Sequence, residues 1–267
     1  MSFVGTTVSL MVGPVLAVDA PASLMESIRS VQVTQSEAGS GFQIAFDVDP
    51  APGASGSTGP GLLHSLLLKP YNRVVISAAL NGTPTVLMDG VITHMELSPA
   101  QGGQPGTFTI TGSDLTAVMD LWERSREFPA ASGAMAVAEI LLPYVIYGIL
   151  PIIIPSGLSV PPLPVSRIPI QNGTDLAYIR DLACQNGYDF HLRPGPVPLT
   201  NVAYWGPRVR IGIPQPALSV NMGPGTNVDA LTFSYDATAP TITYGKVLDE
   251  ATNMEVPVLG VPLFNLP

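Results

Sequence analysis

Between Ile170 and Gly206 the chain reads IQNGTDLAYIRDLACQNGYDFHLRPGPVPLTNVAYWG, and the hydrophobic period changes within that one stretch. Leu176, Ile179, Leu182 and Ala183 recur at helical spacing. Tyr188, Phe190 and Leu192 then alternate as one face of a strand. A polar Asn172-Gly173 turn leads in. Thr174 is placed to cap the helix with its side-chain oxygen, and Asp175 favours the positive end of the helix dipole. Gly187 suits the left-handed residue that ends such a helix. A Pro/Gly loop and a second strand ending Tyr204-Trp205-Gly206 complete the unit.

The rest of the chain predicts a mainly β protein. Its 26 glycines and 28 prolines keep helices short and turns frequent. Residues 1–112 read as all-β: an apolar opening strand, an alternating run at Ser30–Ser36, and a half-buried strand signalled by Phe42, Ile44, Phe46 and Val48. A loop follows over Pro50–Gly61. Arg73–Leu80 and Thr85–Met88 flank an Asn81-Gly82 hairpin turn, Val91–Leu97 comes after Asp89-Gly90, and Thr107–Thr111 follows the loop at Gly102–Gly106. Helical spacing begins at Ser113, with Leu115, Val118, Met119 and Trp122 on one face, and resumes over Ala134–Tyr147. Strands are expected again at Val209–Ile213, Leu218–Met222, Ala230–Tyr235 and Thr241–Val247. The expected organisation is a first β region over 1–112, a helical insert over 113–187 and a second β region over 188–267.

Charge narrows the possible partners. Only 12% of residues are charged, against about 25% in an average soluble domain. Such a surface is covered by assembly into an oligomer or by a membrane. The uncharged run ILLPYVIYGILPIIIP, Ile140–Pro155, is shorter than the roughly 20 residues of a membrane helix and is broken by Pro143, Gly148 and Pro151. It reads as a helix end followed by a buried strand, with no membrane insertion. Net charge is −9, and the two lysines are Lys69 and Lys246, which argues against a clamp on nucleic-acid phosphates.

No catalytic, cofactor-binding or metal-binding residue is expected. His64, His94 and His191 have no ligand spacing, no serine sits in a Gly-x-Ser-x-Gly elbow, and the Gly223-Pro224-Gly225 turn lacks a phosphate-loop lysine. The acidic pairs Asp47/Asp49 and Asp249/Glu250 read as solvated surface. Cys184, the single cysteine, forbids an internal disulfide and reads as a small buried hydrophobe rather than a nucleophile paired with His191.

Three segments in order resemble the phage late-control D family, the baseplate hub of contractile tails and the hub half of type VI secretion spike proteins. Asp89–Phe128 is similar to its strand, loop and "TGxD" strand-to-helix passage. Met135–Tyr144, MAVAEILLPY, stands where that family has a short helix. Ile170–Leu192 resembles its glutamine, its "fLxrLA" helix and the aromatic strand after a glycine. The likeness spans roughly residues 80 to 245. It implies two tandem antiparallel β-barrels around the helical insert, and a homotrimer whose six barrels join a six-fold tail tube above to a three-fold spike below, with baseplate wedge proteins around it. It implies a location in a virion tail baseplate or injection particle assembled in the bacterial cytoplasm. Nothing after Val256 resembles a spike domain or a lysozyme, so the spike is expected on a separate chain, or the sequence is a truncated product. An alternative from the residues alone is a monomeric β-sandwich module that binds carbohydrate or a cell surface.

Overall fold

The computed structural model describes residues 6–36, 39–48, 67–80, 83–100, 106–156, 168–208, 217–228, 230–232, 243–249 and 254–260. They fall into two compact units, Met1–Arg210 and Ile211–Pro267. The Pro50–Gly61 loop, the Asn81-Gly82 turn, His64, Asp49, Glu250 and the strand expected at Val209–Ile213 lie outside the described residues.

The first unit opens with β1 (Thr6–Gly13), β2 (Val18–Asp19), the short α1 (Ala22–Glu26), β3 (Ile28–Ser36), β4 (Gly39–Val48), β5 (Arg73–Leu80), β6 (Thr83–Ser98) and β7 (Gly106–Asp114). These strands form one antiparallel sheet in the order β2-β1-β5-β6-β7-β4-β3. Strict alternation puts Leu10, Val12, Phe42, Ile44, Phe46, Val74, Ile76, Met88, Ile92, Phe108 and Ile110 on a single buried face, under which Leu24 and Leu68 also pack. The strand pattern expected over 1–112 is present. Closure is not: among the described residues the sheet ends at two-residue β2 on one side and polar β3 on the other, and no sheet closes into a barrel. Asp89-Gly90 does not separate two strands. It lies inside β6, where a Cβ on Gly90 would overlap the carbonyl oxygen of Ser113 on β7.

A helical layer follows, built from α2 (Thr116–Met119), β8 (Glu123–Glu127), α3 (Gly133–Leu141), a 3₁₀ turn (Leu142–Tyr147), β9 (Ile149–Ile153), β10 (Ile170–Thr174), α4 (Asp175–Gln185), β11 (Tyr188–Pro194) and β12 (Asn201–Pro207). Asp114 starts it: one carboxylate oxygen accepts the Ser40 N–H at 2.9 Å, the other the Thr116 N–H at 3.0 Å and the Thr116 hydroxyl. The helix expected across Leu115–Trp122 stops after one turn. Glu123–Glu127 pairs instead with Ile170–Thr174, and that pairing turns Trp122 outward. The same pairing makes β10 a strand where the sequence suggested only a turn. From Thr174 onward the expectation holds. The Thr174 hydroxyl accepts the Ala177 N–H at 3.2 Å, Leu176, Ile179, Leu182 and Ala183 are buried, and Gly187 has φ +65°. Cys184 is exposed, contrary to expectation, because it lies well round the helix from the face centred on Ile179 and Ala183.

Strand β12 pairs antiparallel with β11 and parallel with β9, giving the order β11-β12-β9. The strand starting at Tyr188 is therefore built onto the helical layer. Its inner residues Phe190, Leu192, Ala203 and Trp205 share a core with Val137, Ile140, Leu176 and Ile179.

In the second unit, β13 (Thr243–Asp249) and β14 (Met254–Gly260) form an antiparallel pair. Leu218–Met222 is a turn, not a strand. Asn221 takes φ +57°, and Asn227 closes the turn by accepting the Ser219 N–H at 2.7 Å through its side chain. Of the strand expected at Ala230–Tyr235, residues 230–232 are not in a strand and the rest lies outside the described residues.

Candidate interaction surface

Two buried polar nodes set how the first unit presents its outer faces. In the first, Arg73 on β5 and Asp89 on β6 pair through two parallel bonds of 2.7 Å, with both side chains almost fully buried. Arg73 also donates to the carbonyls of Val15 at 3.1 Å and Tyr147 at 2.8 Å, and Asn201 Nδ2 donates to Asp89 Oδ2 at 2.8 Å. This network ties the large sheet to the 3₁₀ turn and to β12. It satisfies a charge pair that would otherwise be costly to bury.

The second node is the carboxylate of Asp175. It accepts from Gln171 Nε2 at 2.7 Å, the Tyr144 hydroxyl at 2.8 Å and Arg126 at 3.1 Å, with Arg124 3.6 Å away. Burial, then the bond to Asp175 and its charge, push the Tyr144 hydroxyl far above the ordinary tyrosine range, while Arg124 and Arg126 pull the other way. Tyr144 stays a donor. Together these bonds hold the β8–β10 ribbon, α4 and the 3₁₀ turn in one arrangement. Neither node was legible as such from the sequence, which offered Asp175 only as a helix-dipole residue. The available signal was an arginine and an aspartate inside apolar strands.

With the inner faces fixed, the outer ones follow from register. Across the three-stranded sheet the outward rows are Leu150–Val202–Arg193 and Ile152–Tyr204–His191. Tyr204 stacks on His191 with ring centroids 5.1 Å apart, and a Cβ on Gly206 would press on Tyr204 and Ile154. The face thus grades from aliphatic on β9 to polar on β11, where Arg193 is a cation and Asp189 is paired with Arg208. Leu150 is 56% and Ile152 48% exposed, so the buried strand expected in Ile140–Pro155 is an edge strand buried only at Ile149. Leu142 and Ile146, from the same uncharged run, are exposed beside it in sequence.

The β9 edge is blunted at its centre. Ile154 N–H donates to the Trp205 carbonyl and Asn201 N–H to the Gly148 carbonyl, each at 2.9 Å. Even-numbered residues of β9 therefore turn their backbone groups to β12, and odd-numbered ones to the open side. Pro151 falls on the open side and has no N–H to offer.

The outward side of the β8–β10 ribbon is acidic. Glu123, Ser125 and Glu127 are exposed on β8, Ile170 on β10, and Trp122 at the ribbon's foot is 70% exposed.

Among the described residues no catalytic grouping comes together. Cys184 lies on the outside of α4, whereas His191 packs on Tyr204. Burial holds the His191 pKa down, the Arg193 charge adds to this, and Asp189 opposes it. Asp47 lies 3.8 Å from Arg29 on the surface, and His94 is exposed on β6. The side chains of Asp249 and its neighbours are outside the described residues. Among the described residues no three His, Cys, Asp or Glu side chains form a metal-binding group, and no helix is long and apolar enough to cross a membrane.

No family model and no curated protein matches the chain. Solved structures do. A tail protein from Neisseria meningitidis MC58 aligns with TM-score 0.54 at 10% identity, over 98% of this chain and 69% of that one. The prophage tail protein gp18 from Listeria monocytogenes EGD-e aligns with TM-score 0.51 at 11% identity, over 95% of this chain and 68% of that one. A chain of the Francisella PdpA–VgrG complex aligns with TM-score 0.50 at 12% identity, over 77% of this chain but only 32% of its own length. The chain is similar in fold to phage tail proteins and to part of a VgrG-containing complex.

Proposed function

We propose that this chain is a structural hub of a contractile tail or injection system, a trimeric adaptor between a six-fold tail tube and a three-fold spike, acting without catalysis or cofactor. The observation that carries this reading is the fold likeness to tail proteins over nearly the whole chain. Outward faces that set exposed apolar residues beside charged ones add to it, as subunits of an assembly need. In this reading the large sheet of residues 1–112 supplies one barrel per chain and the strands of 188–267 contribute to a second. Three chains then offer six similar docking surfaces. Tube, spike and wedge proteins are its partners, and the particle's baseplate is its place.

Imaging of assembled tails tests the proposal. Three copies on the central axis between tube and spike are expected. A peripheral position, or six copies, overturns it. In solution, three copies of 27.9 kDa give a particle of about 84 kDa, whereas the β-sandwich binding module would stay a monomer.

A further inference from the structure

We propose that the outer face of the β11-β12-β9 sheet seats a second copy of this chain, and that what it receives is the β8–β10 ribbon with Trp122. The inference rests on the hub reading and names its subunit contact. Both outer faces turn away from one helical layer: the inward arginines of the ribbon reach Asp175, and the inward side chains of the sheet pack on α3 and α4. Two different surfaces on one rigid body make a heterologous contact, the kind that closes rings.

Their chemistry is complementary. The receiving face offers Leu150 and Ile152, then Tyr204, then His191 and Arg193. The ribbon offers Trp122 and Ile170 for the aliphatic part, and Glu123 and Glu127 as partners for Arg193. In a chain with 20 acidic and 11 basic residues, Arg193 beside an apolar face favours an acidic apolar partner, and the ribbon is one. Leu150, Ile152 and Ile154 along the edge strand are exposed, as are Leu142, Val145 and Ile146 in the turn before it, and a run of exposed aliphatic side chains marks an interaction surface. Pro151 removes the central donor from the β9 edge, so the copies join through side chains and not by strand addition.

The test measures mass against concentration for the full chain. Trp122→Ala and Ile152→Glu are expected to raise the concentration at half-dissociation by about thirtyfold, as loss of a buried anchor does. Arg193→Glu and Glu127→Arg should each weaken association, and the double variant should restore it. In a Cys184→Ser background, Trp122→Cys with Ile152→Cys should form disulfides between chains on oxidation. A wild-type trimer left unchanged by all four single variants, and without cross-links, overturns this contact while leaving the hub reading standing. Lower thermal stability without a mass change means that the chain covers the face itself, and also overturns it. A wild-type chain that stays monomeric at every concentration overturns the second copy as occupant, while the hub reading is judged separately by particle imaging.

Discussion

Asn201 Nδ2 donates to Asp89 Oδ2 at 2.8 Å across 112 residues of chain. That bond makes the end of the helical layer part of the same polar network as the middle of the large sheet. Asp89→Asn keeps the shape and removes the charge, leaving the Arg73 guanidinium uncompensated in the core. The expected cost is about 3–5 kcal/mol by denaturant unfolding. Arg73→Met with Asp89→Leu together should cost less than the sum of the single changes.

Tyr144→Phe removes a donor from a buried carboxylate and should cost about 1.5–3 kcal/mol in the same measurement. The pH dependence has a definite sign. A hydroxyl whose folded pKa is raised contributes stability that is complete below the free tyrosine value of about 10 and is lost above it. Wild type should therefore lose stability above that pH more steeply than Tyr144→Phe.

His191 gives the opposite dependence. Its folded pKa is lowered, so the unfolded chain takes up the proton first, and stability falls as pH drops below the free histidine value of about 6.5. Melting temperatures of wild type and His191→Phe, followed from neutral to mildly acidic pH, should converge or cross because only the wild type carries this loss.

Cys184→Ala should change stability by less than about 0.5 kcal/mol, since the side chain is on the surface and leaves no cavity. A thiol reagent should label Cys184 in the folded chain without denaturant.

Gly90→Ala should be among the most damaging single changes. The added methyl meets the Ser113 carbonyl of a paired strand, and neither backbone can move without breaking the β6–β7 ladder. Loss of soluble expression, or a cost of roughly 3 kcal/mol or more, is expected.

Local periodicity made much of this fold legible in advance. The faces of Phe42–Phe46, Leu176–Ala183 and Tyr188–Leu192 were readable because alternation and helical spacing report burial directly. What the sequence did not reveal depended on partners far along the chain. Glu123–Glu127 has no strand pattern by itself and becomes a strand because Ile170–Thr174 pairs with it. Ile149–Ile153 looked like core because it is apolar, yet its position at the end of the β11-β12-β9 order exposes most of it. The rows that make up the candidate surface could not be written down before the parallel register of β9 against β12 was known, since a shift of one residue exchanges inside for outside.

Under the proposed assembly, a subunit that waits for its neighbours must not polymerise with the wrong ones. Between synthesis and assembly, an aliphatic strand at the rim of a sheet invites end-to-end zippering into fibres, which consumes protein irreversibly. Pro151 interrupts that reaction with one missing proton and leaves the side chains above it free to stick. In that reading, solubility before assembly and adhesion after it depend on different atoms of the same five-residue strand, backbone for the first and side chain for the second.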